Sequence, residues 1–239
     1  MAPTATDDFL NDARKRMVDS QLRPNKVTDP RILAAMRALP REAFLPPALL
    51  PLAYADRNVP LGDGRMLLQP MTLARLVQAT SPTAGDRVLV VGANTGYAAA
   101  VFAALGCVVV ALEQAGPLAD LAKTALAATS PTGTSPAGTS PAATSPAVTV
   151  ATGLLPAGWA AGAPYDVILI DGAVPEVPAA IAAQLNRQTG RLVTIVNTGG
   201  RTSHAVQAEP AATGLSVRTL FDCLCPVIPA FARAPAFEF

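Results

Sequence analysis

Histidine is nearly absent from this chain, with His204 the single example, and cysteine is scarce, with three residues. An odd cysteine count, two of them spaced as Cys223-x-Cys225, makes no disulfide framework. A zinc site at Cys-x-Cys needs further soft ligands, and the chain offers only His204 and a Cys107 inside a run that reads as buried strand, so no metal is expected. An excess of one charge is lacking as well. With 18 basic and 17 acidic residues the net charge is +1, which leaves no electrostatic footprint for nucleic acid or an anionic membrane. The N-terminus carries Asp7 and Asp8 and no apolar h-region, so no secretory signal is read and a reducing cytoplasm is the expected location.

What is present in quantity is apolar sequence. Residues 88 to 112, "VLVVGANTGYAAAVFAALGCVVVAL", contain no formal charge and are long enough to span a bilayer. The interior argues against a span, because Gly92, Asn94, Thr95 and Gly96 would leave backbone and an amide in hydrocarbon. Val88 to Val91 is β-branched apart from Leu89 and follows the turn signal "SPTAGD". Tyr97 to Leu105 is Ala-rich, Gly106 is a helix stop, and Cys107 to Glu113 is again a strand. The reading is β-loop-α-β, half of a buried sheet.

Along the rest of the chain, residues 1 to about 8 read as a loose tail and 9 to 23 as a helix. A second helix follows Thr28 or Asp29, with Pro30 in its first turn and Ile32, Leu33, Met36 and Leu39 at helical spacing. Gln69 to Ala79 and Pro117 to Ala128 read as helices. The tract "TSPTGTSPAGTSPAATSPAVT" repeats Thr-Ser-Pro every five residues, with too much proline for helix and too little apolar surface to bury, so it reads as a surface insertion at about 129–147. Exchanging residues 130 to 146 for a short Gly/Ser linker is expected to leave the Tm nearly unchanged, since a shorter loop closes at no greater entropic cost. "AVTVATG", "YDVILIDGAV" and "GRLVTIVN" read as strands, with a helix near Pro178 to Leu185 and "LSVRTLFDCLCPVI" as a closing edge strand. Alternation of β and α units predicts a doubly wound, mostly parallel α/β sheet with an N-terminal helical extension and an antiparallel C-terminal edge strand. The expected division is an extension over 1–80 and a ligand-binding α/β domain over 81–239.

In such sheets ligands sit beyond the carboxyl ends of the strands. The first strand ends in Gly92-Ala93-Asn94-Thr95-Gly96 and the second in Glu113. Glycines let backbone approach a ligand, Asn94 tolerates positive φ, and an acid at the second strand end can accept both hydroxyls of a ribose.

The segments "RMVDSQLRPNKVTDPRILAAMRALPREAFLPP", "AYADRNVPLGDGRMLLQP", "VLVVGANTGYAAAVFAALG", "VVALE" and "PYDVILIDGAVPEVPAAIAAQLNRQTGRLV" resemble, in order and spacing, the protein-L-isoaspartate (D-aspartate) O-methyltransferase family. The resemblance implies a class I (Rossmann-like) methyltransferase fold, S-adenosylmethionine as cofactor, and methyl transfer to the α-carboxylate of L-isoaspartyl residues in damaged proteins or peptides, a repair function. It implies that Gly92, Ala93, Asn94 and Gly96 surround the amino-acid end of the cofactor, with Glu113 at its ribose and Gln114 beside it. Leu68 and Gln69 fall in the acceptor segment.

Two departures stand where the chemistry belongs. The family's "TISQP" aligns with Met66 to Pro70, so its hydroxyl position is Leu68, and the acid two residues before the first loop glycine aligns with Val90. Each leaves a ligand group without a partner, at about 1–3 kcal/mol. Asp171 replaces a small or hydroxylic residue and stands to repel a carboxylate, although a turn role ahead of Gly172 also fits it. Three readings follow: an isoaspartyl methyltransferase, a methyltransferase with another acceptor, and a non-catalytic member that lost its donor site. On the first reading, Leu68→Ser is expected to raise turnover about tenfold, one regained hydrogen bond; on the second, Leu68 packs against an apolar group and the same substitution loses stability without gaining activity. A carboxylate nucleophile and a sulfonium leaving group need no general base, so His204 reads as a solvated residue.

Overall fold

The computed structural model describes residues 5–129, 148–200 and 202–232; the Thr-Ser-Pro insertion lies outside the described residues. The chain begins with α1 (Ala5–Arg16), which passes into a π-helical turn at Met17–Leu22 and a 3-10 turn at Arg23–Asn25. This places residues 5–8 of the expected tail in a helix and divides the single helix expected over 9–23; residues 1–4 of that tail lie outside the described residues. Met17, Val18 and Leu22 are all buried, and the π spacing of five residues puts Met17 and Leu22 on one face, where a continuous α-helix would splay them. In α2 (Pro30–Ala38), Asp29 is the cap: its carboxylate accepts from the Arg31 N–H at 2.8 Å, and Ile32, Leu33 and Met36 are buried.

A hairpin that periodicity did not reveal follows, β1 (Val59–Gly62) and β2 (Arg65–Leu67). Its turn is Asp63-Gly64, both at positive φ (48° and 69°), the Asp-Gly chemistry that tight hairpins use. Next come α3 (Pro70–Ala79), β3 (Arg87–Val91), α4 (Tyr97–Ala104), β4 (Val108–Glu113), α5 (Pro117–Thr129) and β5 (Thr149–Thr152). The remainder is β6 (Val167–Val174), α6 (Ala179–Ala182), β7 (Arg191–Val196), β8 (Ser203–Pro210) and β9 (Leu215–Cys223).

The seven-stranded sheet has the order β5-β4-β3-β6-β7-β8-β9. Pairings from β5 through β7 are parallel, and β7·β8 and β8·β9 are antiparallel. Two antiparallel strands therefore close the sheet, where one was expected. The overlooked β8 mixes Ser203, His204, Gln207 and Glu209 with small apolar residues, so it lacks the β-branched run that marks its neighbours. The helix expected over 178–185 shrinks to four residues. The Gln184 amide turns inward to bond Trp159 N, Ala157 O and Ala180 O, and the backbone of Gln184 and Asn186 pairs with Tyr165 instead of continuing the helix.

Side chains alternate across the sheet. Val88 and Val90 point into a core shared with Met17, Ile32, Phe44, Leu68 and Tyr97, so the first eighty residues and the sheet bury one another. Leu89 and Val91 point the other way, onto Leu155, Tyr165, Ile168 and Ile181. The charge-free run is thus interior sheet, and no helix among the described residues is long and apolar enough to cross a membrane.

Candidate active site

Strand order reverses at β3, which has β4 on one side and β6 on the other, and the loop after β3 opens at that point. Three of its residues hold left-handed backbone: Gly92 at φ 68°, Asn94 at 53° and Gly96 at 94°. Asparagine carries this conformation more easily than most side chains, so two glycines and Asn94 build the curl that three glycines often supply. The loop packs tightly. A Cβ on Gly96 would lie 3.0 Å from Leu126, and one on Gly92 would lie 3.2 Å from Arg65 Nη2 and 3.3 Å from Ile228. Gly96 caps α4 without a side chain to bond the first-turn N–H groups, an arrangement that suits a ligand carboxylate.

At the end of β4, Glu113 is 1% exposed and meets Arg65 in a bidentate pair, Nη1 to Oε1 and Nη2 to Oε2, each at 2.7 Å. The Asn94 N–H donates to Oε2 at 2.6 Å and the Gln114 N–H to Oε1 at 2.8 Å. A carboxylate offers about four lone-pair positions, so all of them are taken. Glu113 is where the sequence places it, but it holds a cation that the sequence reading passed over. Arg65 stood in the quoted stretch "GDGRMLLQP"; a lone arginine at the head of the apolar run Met66-Leu67-Leu68 was the available signal.

On the acceptor side, Leu68 is wholly buried and belongs to the main core. Its carbonyl accepts from Nη2 of Arg41 at 2.7 Å, while Arg41 Nε donates to Ala53 O at 2.8 Å. This guanidinium, buried completely, lies 4.8 Å from the centre of the Tyr97 ring, and Tyr97 meets Phe44 edge-on at 5.4 Å. Desolvation lowers the Arg41 pKa and raises that of Tyr97. Arg41 therefore ties the acceptor segment to the start of α4, a second role no motif disclosed. Gln69 sits ahead of α3, its amide donating to Asp56 Oδ1 at 2.7 Å and its N–H to Asn58 Oδ1 at 2.8 Å. Val90 packs in the core.

Asp171 lies in β6, 2% exposed, and the Asn94 amide donates to its backbone oxygen at 3.2 Å and its Oδ2 at 3.3 Å. Burial pushes its pKa from 3.8 up to about 6; the Asn94 bond and the charges of Arg65 and Arg41 oppose that rise, while Glu113 adds to it. The folded form keeps this proton to a higher pH than the unfolded chain, so the group favours folding most below pH 3.8, and that contribution is lost as pH rises through about 6. Asp171→Asn is accordingly expected to match wild type in acid and to exceed it above the folded pKa by on the order of 3 kcal/mol. Chemical denaturation of both forms across that pH range checks this; a constant difference would remove Asp171 as its cause.

Among the described residues, buried side-chain atoms without a partner include Arg65 Nε, Asn94 Oδ1, Thr95 Oγ and Asp171 Oδ1. All belong to this end of the sheet, and an unsatisfied buried polar group costs about 1–3 kcal/mol. Polar groups left in wait on both the loop and the acceptor side fit a ligand rich in hydrogen-bonding atoms. His204 is remote from them, bonding Asp222 at 2.8 Å across the β8·β9 pair.

Comparison with known proteins matches this arrangement to one family. The family model described as protein-L-isoaspartate(D-aspartate) O-methyltransferase (PCMT) matches residues 12–224. A protein-L-isoaspartate O-methyltransferase of Methylorubrum extorquens (strain PA1) is 41% identical over 204 residues, covering 84% of this chain and 82% of its own. One from Koribacter versatilis (strain Ellin345) is 36% identical over 225 residues, covering 93% and 94%. Among solved structures, a beta-aspartate methyltransferase (PCMT) from Plasmodium falciparum in complex with S-adenosyl-L-homocysteine superposes with a TM-score of 0.72 at 15% identity, covering 91% of this chain and 98% of that one. Another protein-L-isoaspartate O-methyltransferase gives a TM-score of 0.73 at 24% identity, covering 90% of this chain and 65% of that one. The last two establish the Rossmann-like methyltransferase fold. With the loop, the acid after β4 and a family match spanning nearly the whole chain, this protein belongs to the protein-L-isoaspartate(D-aspartate) O-methyltransferase family.

Proposed function

We propose that the protein is an S-adenosylmethionine-dependent methyltransferase that esterifies the α-carboxylate of L-isoaspartyl residues in damaged proteins. The observation that carries this reading is the junction of the β3 loop with Glu113: left-handed backbone at Gly92, Asn94 and Gly96 faces an acid at the switch point of a sheet that superposes on family structures. When bound, S-adenosylmethionine supplies a methyl group on a sulfonium, which leaves without protonation. Gly92, Ala93, Asn94 and Gly96 are proposed to hold its amino-acid end, the α4 N–H groups its carboxylate, and Glu113 with the neighbouring Gln114 its ribose.

The acceptor arrives as a carboxylate and is already nucleophilic, so this chain's contribution is alignment and exclusion of water. Arg41 fixes the backbone at Leu68 and Gln69 through the 2.7 Å bond to the Leu68 carbonyl. Its buried guanidinium gives this wall a positive potential that favours an anion. Asp171 repels that anion less where it keeps its proton, below about pH 6, than where it is ionised and unpaired. The neighbouring backbone amide nitrogen of the substrate can attack the methyl ester so formed, expelling methanol and closing a succinimide, and hydrolysis of the succinimide leads back toward aspartate.

The test pairs two peptides differing only in one isoaspartyl or aspartyl linkage, incubated with radiolabelled S-adenosylmethionine. Base-labile label on the isoaspartyl peptide alone is the expected result. Label on neither, with S-adenosylhomocysteine still raising the Tm, would leave a donor-binding protein with a different acceptor.

A further inference from the structure

The pair formed by Arg65 and Glu113 sits where the proposed function needs a free carboxylate. Both oxygens of Glu113 are filled by Arg65 and by two backbone N–H groups. The backbone donors are fixed by the fold, so a ribose can gain hydrogen bonds from Glu113 only by displacing the side chain. Arg65 then becomes a buried cation in search of a counter-ion, which is costly to leave unpaired.

A second carboxylate is one residue away. Asn94 bonds Glu113 through its backbone N–H and Asp171 through its side-chain amide. Asp171 Oδ1 is buried without a partner, and so is Arg65 Nε. Gly92 stands beside the guanidinium, with Arg65 Nη2 at 3.2 Å from the place its Cβ would occupy; a side chain there would crowd Arg65 where it sits on Glu113.

We infer that Arg65 is a two-position counter-ion: it sits on Glu113 in the donor-free protein and moves to Asp171 when the donor's ribose takes Glu113. The inference rests on the donor reading above. The move has two consequences. Donor binding carries a conformational cost, since the competent arrangement is a minor one until ligand arrives. It also brings a positive charge to Asp171 before an anionic acceptor approaches, so donor binds first and the repulsion expected from Asp171 is neutralised in the loaded protein.

Movement of Arg65 onto Asp171 must lower the affinity of that carboxylate for its proton. The other groups facing Asp171 are Arg41, Glu113 and the Cys225 thiol, itself raised to about 12 by burial; none of these changes position in the exchange. Binding of S-adenosylhomocysteine is therefore expected to release a fraction of a proton near pH 6, read by calorimetry of the unmodified protein in buffers of different ionisation enthalpy. The release should vanish in Asp171→Asn. Arg65→Gln, which keeps a hydrogen bond to Glu113 but no competing charge, should bind S-adenosylhomocysteine about tenfold more tightly, with Arg65→Lys near wild type and Asp171→Asn weaker. Binding by wild type without proton release, or an Arg65→Gln affinity equal to wild type, would overturn the exchange while leaving the donor site intact. Absence of binding by both wild type and Arg65→Gln would overturn the donor reading and the exchange together.

Discussion

Glu113→Ala is expected to lower the unfolding free energy by about 3–5 kcal/mol, the loss typical when one partner of a buried ion pair is removed. Affinity for a donor would fall as well, but stability is the larger effect, because Arg65 is only 6% exposed and loses both of its carboxylate bonds. The Asn94 N–H loses its acceptor in the same substitution, so the curl of the loop is loosened with it. The pair of changes separates these contributions. In Arg65→Ala with Glu113→Ala no buried charge remains unpaired, and the combined loss should be smaller than the sum of the single losses by about 1–3 kcal/mol, the coupling seen for residues in contact. Urea unfolding of the four forms measures it. Asp171, whose Oδ1 is buried without a partner, is the carboxylate to which the guanidinium can turn in Glu113→Ala; strict additivity would mean that it does so at no cost.

How far the sequence disclosed this site depends on which kind of residue is asked about. The β3 loop and Glu113 were legible, because left-handed backbone demands glycine or asparagine and a strand end leaves a carboxylate at a fixed place. The sheet was legible up to β7, where β-branched runs such as "RVLVV" and "RLVTIV" alternate with helices. β8 was not, since its pairing partner rather than its own composition makes it a strand. Arg41 and Arg65 were passed over for a different reason. A charged residue reads as solvated by default, and only three-dimensional packing turns "PREAF" and "GDGRMLLQP" into two buried guanidinium groups, one on the Leu68 carbonyl and one on Glu113. Asp171 was noticed as a departure, yet its protonation is set by burial and by Arg65 and Arg41, none of which is near it in the chain.

The same packing reverses the expectation for Leu68. Judged by alignment, Leu68→Ser restores a missing hydroxyl and raises turnover. In the structure the Leu68 side chain is 0% exposed and shares the core with Val90, Phe44 and Tyr97. Replacing a buried leucine by a small residue costs about 2–5 kcal/mol through lost burial and the cavity left behind. A serine hydroxyl in apolar surroundings adds to that cost unless it finds a partner, and the carbonyl of residue 68 itself is already engaged by Arg41. The backbone of the segment is held independently of the side chain, by Arg41 at residue 68 and by Asn58 at Gln69, so a shorter side chain does not swing the hydroxyl toward an acceptor. Leu68→Ser should therefore lower the denaturation midpoint by an amount matching that loss and leave methyl transfer to an isoaspartyl peptide at or below the wild-type rate. Leu68→Met, which conserves volume, should stay within about 1.5 kcal/mol of wild type. A serine variant that gained activity with its midpoint unchanged would place residue 68 on the acceptor wall and would require the segment to turn that side chain out of the core when substrate binds.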